Sequence, residues 1–238
     1  MKIIIIGYGR MGKEVEKAAL ARGHQIIEKI DINNKDALTP ELLQKADVAI
    51  EFTTPESAPE NYIKCFEAGL PVVSGTTGWL DREEEIKQIC KEKNGTFFYA
   101  SNFSLGVNIF FEVNKFLAKL MNKIDQYDIS VEEIHHIHKK DKPSGTAITI
   151  ARQIIENHDK YKSWELDGKG NGILPVHSER EGEVVGIHTV NYVSKIDKIS
   201  IRHEAFSREG FAQGAVIAAE FVKDRKGCYT MEDLLRML

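Results

Sequence analysis

The stretch Lys2-Ile3-Ile4-Ile5-Ile6-Gly7-Tyr8-Gly9-Arg10-Met11-Gly12 decides how this chain begins to fold. An unbroken apolar run such as Ile3 to Ile6 fits a parallel strand buried on both faces. The glycines follow without a gap. Met11 to Arg22 then has helical spacing and good helix formers. Gln25 to Ile30 reads as a second strand ending in Asp31, nineteen residues beyond Gly12. Strand, G-x-G-x-x-G, helix, strand and acid, in that order, describe a dinucleotide site. Gly7 permits the tight turn, Gly9 lets backbone approach a pyrophosphate, and Gly12 lets the helix sit close to the sheet. The helix start, with Arg10 and Met11, turns its free N–H groups to the phosphates, and Asp31 can accept from a ribose hydroxyl.

Outward from this unit the alternation continues. Thr39-Pro40-Glu41 supplies an N-cap, a proline at the first helical position and a first-turn acid. Asp47 to Phe52, Pro71 to Ser74 and Thr96 to Tyr99 read as strands, with helices over Glu56 to Ala68 and Asp81 to Lys93. Three small polar loops follow these strands: Thr53-Thr54-Pro55, Gly75-Thr76-Thr77-Gly78 and Ala100-Ser101-Asn102-Phe103-Ser104. Open α/β sheets bind ligands beyond the carboxyl ends of their strands, where small residues let a flat ring and ribose approach backbone. Phe52, Thr53, Gly75, Thr76, Thr77, Ala100, Ser101, Asn102 and Phe103 therefore join the candidate cofactor set.

Beyond Asn102 the pattern changes. Leu105 to Met121 has a helical apolar face of Phe110, Val113, Phe116, Leu117 and Leu120. Asp128 to His135 reads as a strand, and Ser144 can cap a helix from Thr146 to Asn157. Residues 158–182 are rich in Gly, Lys and Asp with no clear period, and read as a loop. Glu183 to Val193 and Lys198 to Glu204 read as antiparallel strands joined around Ser194 to Asp197. Helix returns from Phe211 to Lys223, and Thr230-Met-Glu-Asp caps a last short one. The expected fold is α/β. A Rossmann-type nucleotide-binding domain spans residues 1–104 and is completed by 208–238. An α+β domain, residues 105–207, is inserted between them and carries a mixed, largely antiparallel sheet.

A chain of 238 residues has room for two domains with their own cores. With 42% hydrophobic and 29% charged residues the composition is that of an ordinary soluble protein. A net charge of -4 argues against a nucleic-acid or membrane-surface partner. No apolar run approaches the ~20 residues of a membrane span. The opening apolar run is too short for a signal peptide. Cys65, Cys90 and Cys228, odd in number and widely spaced, suggest reduced thiols that serve packing in a cytoplasmic protein.

The most chemical stretch is Glu133-Ile-His-His-Ile-His-Lys-Lys-Asp-Lys-Pro-Ser-Gly-Thr-Ala147, which holds three histidines and three lysines in fifteen residues. Imidazoles move protons near neutral pH, lysines fix positive charge, and a helix opened by Ser-Gly-Thr offers free N–H groups. Together they suit a small anionic substrate that needs a proton. Adjacent histidines on a strand point to opposite faces, and neither HExxH nor a cysteine cluster is present, so no metal is expected. Lys140 and Lys142 read as solvated and the mid-strand His188 as structural, while His138 reads either way.

These motifs resemble those of the 4-hydroxy-tetrahydrodipicolinate reductase (dihydrodipicolinate reductase) family. The resemblance rests on Gly7 to Gly12, Gly75 to Gly78, Ala100 to Ser104, Glu133 to Lys139, Asp141 to Ala147, Arg180 with Gly182 to His188, Phe206 to Arg208 and Phe211 to Gly214. It implies hydride transfer from NADH or NADPH to a ring dicarboxylate in lysine (diaminopimelate) biosynthesis, and a homotetramer built through the inserted domain. It implies His135 as the acid, with Lys139 as electrostatic stabiliser or proton donor, and His136, Lys139, Gly145 and Thr146 as substrate contacts. Arg208 and Phe211 join the cofactor residues on the same ground. Ile137 departs from the family, whose members often carry a basic residue there. Asp31 favours NADH, because its charge repels a 2′-phosphate, although Lys35 could reach around.

Overall fold

Ile3 and Ile5 face one side of a sheet while Ile4 and Ile6 face the other, and helices cover both sides. That is why the opening strand is apolar throughout: each buried isoleucine contributes roughly 1.5–3 kcal/mol, and neither face meets water. In the computed structural model, which describes residues 1–237, this sheet contains β1 (Lys2–Ile6), β2 (Gln25–Ile30), β3 (Val48–Glu51), β4 (Val72–Ser74), β5 (Thr96–Tyr99) and a late strand β11 (Gly227–Tyr229). The order is β11-β5-β4-β3-β1-β2 and every pairing is parallel. Succession reverses at β1, with β2 on one side and β3 on the other. That switch point is the ligand crevice of such sheets.

Helices α1 (Arg10–Ala21) and α7 (Glu209–Val222) cover one face, their buried sides built from Val15, Ala19, Ala212, Ala215 and Val216. Small residues let this layer press close: a Cβ on Gly214 would sit 1.8 Å from the Phe103 carbonyl oxygen. The other face carries α2 (Pro40–Leu43), α3 (Ala58–Glu67) and α4 (Glu83–Glu92). Its centre is an aromatic cluster of Tyr62, Trp79 and Phe97, with Tyr62 and Phe97 ring centroids 4.9 Å apart. The short helix α8 (Met231–Leu235) buries Met231 and Leu234 against this unit's core, under a Thr230–Asp233 capping box.

The chain divides into two compact units: Met1–Leu105 together with the chain from Glu209 on, and Gly106–Arg208. The second unit holds most of α5 (Leu105–Met121), then β6 (Asp128–His135), α6 (Gly145–Asn157), β7 (Ser163–Leu166), β8 (Ile173–Arg180), β9 (Gly186–Val193) and β10 (Lys198–Ala205). Its sheet runs β10-β9-β6-β8-β7. The β9 pairings with β6 and β10 are antiparallel, and β8 pairs parallel with β6 and β7, so the sheet is evenly mixed.

The sequence reading placed a loop over residues 158–182; β7 and β8 lie inside it. Glycines at 168, 170 and 172 and a proline at 175 mask the alternation of Ile173 to Arg180, whose residues Leu174, Val176 and Ser178 point inward. The short β11 was missed because three residues leave no period to read. Cys65 and Cys90 are buried, as packing thiols should be. Cys228 is exposed, and a hydrogen bond from Cys90 draws its thiol below the ordinary range. No helix among the described residues is long and apolar enough to cross a membrane.

Candidate active site

At the carboxyl end of β1 the backbone turns with Gly7 at φ 95°, and a Cβ there would lie 1.9 Å from the Phe52 carbonyl oxygen. Gly12 is equally constrained: its Cβ would come 2.4 Å from the carbonyl oxygen of Gly7. Gly9 is different, with nothing within 4 Å of its Cβ position. The open space lies at the start of α1, where unpaired helical N–H groups favour an anion, so these residues fit a pyrophosphate. Gly7 and Tyr8 donate from their backbone nitrogens to the Ile30 carbonyl, at 2.8 and 3.0 Å, which fixes the turn against the end of β2. There Asp31 is half-buried and accepts from Asn33 N at 2.7 Å. Arg10 is exposed at the first position of α1 and Met11 is half-buried behind it.

A buried carboxyl that the sequence reading passed over organises the next loops. Glu51 ends β3 with no exposure. It accepts from the Thr76 hydroxyl at 2.9 Å, the Ser74 hydroxyl at 2.6 Å, the Thr53 backbone nitrogen at 3.0 Å, and the Thr53 hydroxyl. Thr53 N also donates to Thr76 Oγ1 at 2.8 Å. The predicted residues Thr53 and Thr76 are thus tied to each other through one acid. Burial pushes the Glu51 carboxyl up, and its hydrogen bonds only partly oppose this. Gly75 lies between them because a Cβ would press to 2.0 Å from the Phe52 ring. Thr77 and Ser101 are exposed, Ala100 and Phe103 are buried, and Asn102 Oδ1 accepts from Ser104 N at 2.9 Å. Phe211 is half-buried on α7, and Arg208 is exposed as the last residue of the second unit.

In the second unit, strand alternation sends Ile129, Val131, Glu133 and His135 to one face of β6, and all four are buried. Glu133 is 1% exposed and holds the centre. Its Oε1 accepts from Ser144 N at 3.0 Å and Ser178 Oγ at 2.5 Å, with the Arg180 guanidinium at 3.4 Å. Its Oε2 lies 3.1 Å from His135 Nδ1. Neither of those two atoms reaches solvent or is hydrogen-bonded to another described group. They approach obliquely, as a close ion-pair contact short of an aligned hydrogen bond. Burial alone would push the Glu133 carboxyl up, but His135, Ser144 and Ser178 outweigh it and hold it well below the usual carboxylate range.

His188, on β9, stands edge-on to His135 with ring centroids 5.1 Å apart, and its Nε2 is 3.2 Å from Ser144 Oγ. Burial first, and then the nearby His135, push its pKa down to about 3, so it is neutral over the physiological range. Ser144 caps α6 by accepting from Ala147 N at 3.1 Å. The Gly145 and Thr146 N–H groups, first in the helix, have no intrahelical acceptor, and nothing stands within 4 Å of a Cβ on Gly145. Lys139 pairs with Asp141 at 2.8 Å. Burial would raise the Asp141 carboxyl, but that pairing lowers it overall. His136 is half-buried, and the exposed His138 meets Glu183 at 3.2 Å.

The structure thus brings His135, Lys139, Gly145 and Thr146 into one short segment around Glu133. Ser144, Ser178, Arg180, Gly186 and His188 complete the frame, although the sequence reading gave none of them a direct part in the chemistry. The signal for Glu133 was available as an acid on the apolar face of its strand, two residues before His135. Ligand atoms of Glu133, His135 and His188 lie within 4.8 Å of one another. Ser144 and Ser178 donate to Glu133, and His188 Nε2 meets Ser144 Oγ, so two of the three groups are already engaged by protein.

Comparison with known proteins covers both units. A family model described as the N-terminus of dihydrodipicolinate reductase matches residues 1–103, and one described as its C-terminus matches residues 106–235. A 4-hydroxy-tetrahydrodipicolinate reductase of Christiangramia forsetii is 51% identical, over 99% of this chain and 98% of its own length. One from Archaeoglobus fulgidus is 39% identical, over 99% of this chain and 100% of its own. Among solved structures, a dipicolinate-bound dihydrodipicolinate reductase from Paenisporosarcina sp. TG-14 superposes with a TM-score of 0.78. It is 23% identical over 98% of both chains, a likeness of fold.

Proposed function

The chain belongs to the dihydrodipicolinate reductase family, and from that premise we propose how its own residues divide the reaction. The activity is NAD(P)H-dependent reduction of 4-hydroxy-tetrahydrodipicolinate in lysine biosynthesis. Bound coenzyme supplies the hydride. The G-x-G-x-x-G turn and the start of α1 hold its pyrophosphate, and Asp31 holds a ribose hydroxyl. The loops tied by Glu51 present Thr53, Gly75 and Thr76 to the nicotinamide end.

On the substrate side, the Gly145 and Thr146 N–H groups and the Lys139 ammonium take the carboxylates, with His136 as a further contact. Lys139 exchanges Asp141 for the substrate as it does so. Loss of the 4-hydroxyl as water gives the conjugated dihydrodipicolinate ring; hydride addition to that ring leaves negative charge, and His135 Nε2 delivers the proton that quenches it. The observation that carries this reading is a buried histidine beside an ionised glutamate at the start of a helix with open N–H groups. Coenzyme oxidation followed by absorbance tests it, with substrate made in situ from pyruvate and aspartate semialdehyde. The parent should turn over. His135→Gln and Lys139→Ala should lose about 100- to 10,000-fold with NADH binding retained. Retained turnover in both variants would remove these residues from the chemistry.

Three finer points belong to the same proposal. NADH is preferred, since Asp31 would repel a 2′-phosphate; the ratio of kcat/KM for the two coenzymes decides it. The chain works as a homotetramer in the cytoplasm. Support for assembly comes from β10, an edge strand with exposed Ile199 beside exposed Val193 and Ile196, a pattern that invites a covering partner. Light scattering on the purified chain measures the assembly directly.

A further inference from the structure

We propose that Glu133 is the positioning residue that fixes His135 as a proton donor and joins it to the anion-binding start of α6. The inference rests on the reductase reading above. A donor that protonates through Nε2 needs its other nitrogen held, and Glu133 Oε2 lies 3.1 Å from Nδ1, which has no hydrogen-bond partner among the described residues. Because the carboxylate accepts and cannot donate, it favours the neutral tautomer with its hydrogen on Nδ1, leaving Nε2 bare to be recharged. The same carboxylate offsets the imidazolium once it forms.

The far oxygen explains why Glu133 stays in place. Oε1 is gripped by Ser144 N at 3.0 Å and Ser178 Oγ at 2.5 Å. Ser144 also caps α6, so the helix start that receives the substrate and the ring that protonates it share one acid. Nε2 is kept clear on its other side by Gly186, where a Cβ would approach to 3.1 Å. The contact is oblique, and catalytic hydrogen bonds often tighten on binding. The charged and titratable groups around the pair are Arg180 on β8, His188 on β9, His203 on β10 and the Lys139–Asp141 pair. The one other acid among them, Asp141, is paired with the Lys139 ammonium at 2.8 Å, which leaves Glu133 as the unshared negative charge against the ring.

Glu133→Gln tests the assignment, since the amide keeps the shape but turns a donor toward Nδ1. We expect kcat to fall on the order of 100-fold, the lower end of what a positioned acid contributes. KM for NADH should hold, and the alkaline limb of the kcat/KM profile should move to lower pH. Nitrogen-15 NMR of the parent, at a pH where the ring is neutral, should find the His135 proton on Nδ1, and in the variant on Nε2. A variant kcat within about threefold of the parent would overturn the inference and leave the reductase reading intact. So would a parent ring protonated on Nε2, a result that needs no variant to fold. A parent without turnover sinks the functional reading alone, and the NMR result still decides the link between Glu133 and His135.

Discussion

Each unit buries one glutamate near the carboxyl end of a strand, and the two are pushed in opposite directions. Glu51 and Glu133 are 0% and 1% exposed, and each accepts from a backbone N–H and from hydroxyls. Glu51 meets only neutral partners, so burial wins and its carboxyl holds a proton above the ordinary range. Glu133 faces Arg180 and His135, and its partners overcome burial. What a buried acid accepts from, as much as its depth, decides what it can do. A carboxyl pushed up can tie loops together; one held down can also hold an imidazole ready to carry a proton.

The harshest way to test that contrast is to remove the charged node. Glu133→Leu leaves the guanidinium of Arg180 and the N–H of Ser144 facing an apolar side chain. Breaking a buried pair on one side costs about 3–5 kcal/mol, to be read from urea unfolding of the variant. A loss near zero would mean that Glu133 is no better bound than a surface acid. Less severe is Gly75→Ala on the nucleotide side, where the new Cβ meets the Phe52 ring at 2.0 Å. Overpacking of this kind costs about 1–3 kcal/mol. Thermal unfolding should show it, together with weaker NADH binding. An unchanged melting temperature would show that the Phe52 ring can swing aside.

Acid and alkali should then separate the two nodes. Glu133 has a depressed folded pKa, so its contribution is present above the unfolded value, about 4.3, and is lost as pH falls below it. His188, pushed down to about 3, acts in the same direction: the unfolded ring takes a proton near 6.5, so stability drains as pH falls from there toward 3. Glu51 runs the other way. Its folded pKa is raised, so its contribution is full below about 4.3 and is lost as pH climbs through the raised value. Each slope is limited to about 1.4 kcal/mol per pH unit for a single proton. Hydrogen exchange at acid pH should therefore open β6, β8 and β9 before β3 and β4. The reverse order would overturn the assignment of charge to the two acids.

Much of this was legible in the sequence, and the parts that were not have physical reasons. The nucleotide unit announces itself because its signals are local: Ile3 to Ile6, the glycine spacing and Asp31 lie within one strand-helix-strand. The family motifs around His135 and Ser144 were equally readable. What stayed hidden depends on pairing across the chain. Residues 173–180 become a strand because β6 and β7 flank them, and only that placement brings Ser178 and Arg180 to Glu133. His188 read as a mid-strand structural residue for the same reason, since no local pattern says which strand it will face. Glu51 lies inside the strand read over Asp47 to Phe52, where nothing local tells that its partners come from another loop.

The smallest expected effect sharpens the comparison most. If Glu51 is protonated, Glu51→Gln replaces one neutral planar group by another of the same shape. Its amide oxygen can still accept from the Thr76 hydroxyl and the Thr53 N–H, and its NH2 can donate to Ser74 Oγ, because a serine hydroxyl can turn to accept. We expect less than about 1 kcal/mol of stability to be lost, since no buried partner is left unpaired. KM for NADH should stay within about twofold, and the loss of stability on the alkaline side should flatten. A cost matching that of Glu133→Leu would mean that Glu51 is ionised after all. Neutral hydroxyls alone would then suffice to hold a buried carboxylate, and the Arg180 guanidinium and the His135 ring would no longer explain why the two units differ.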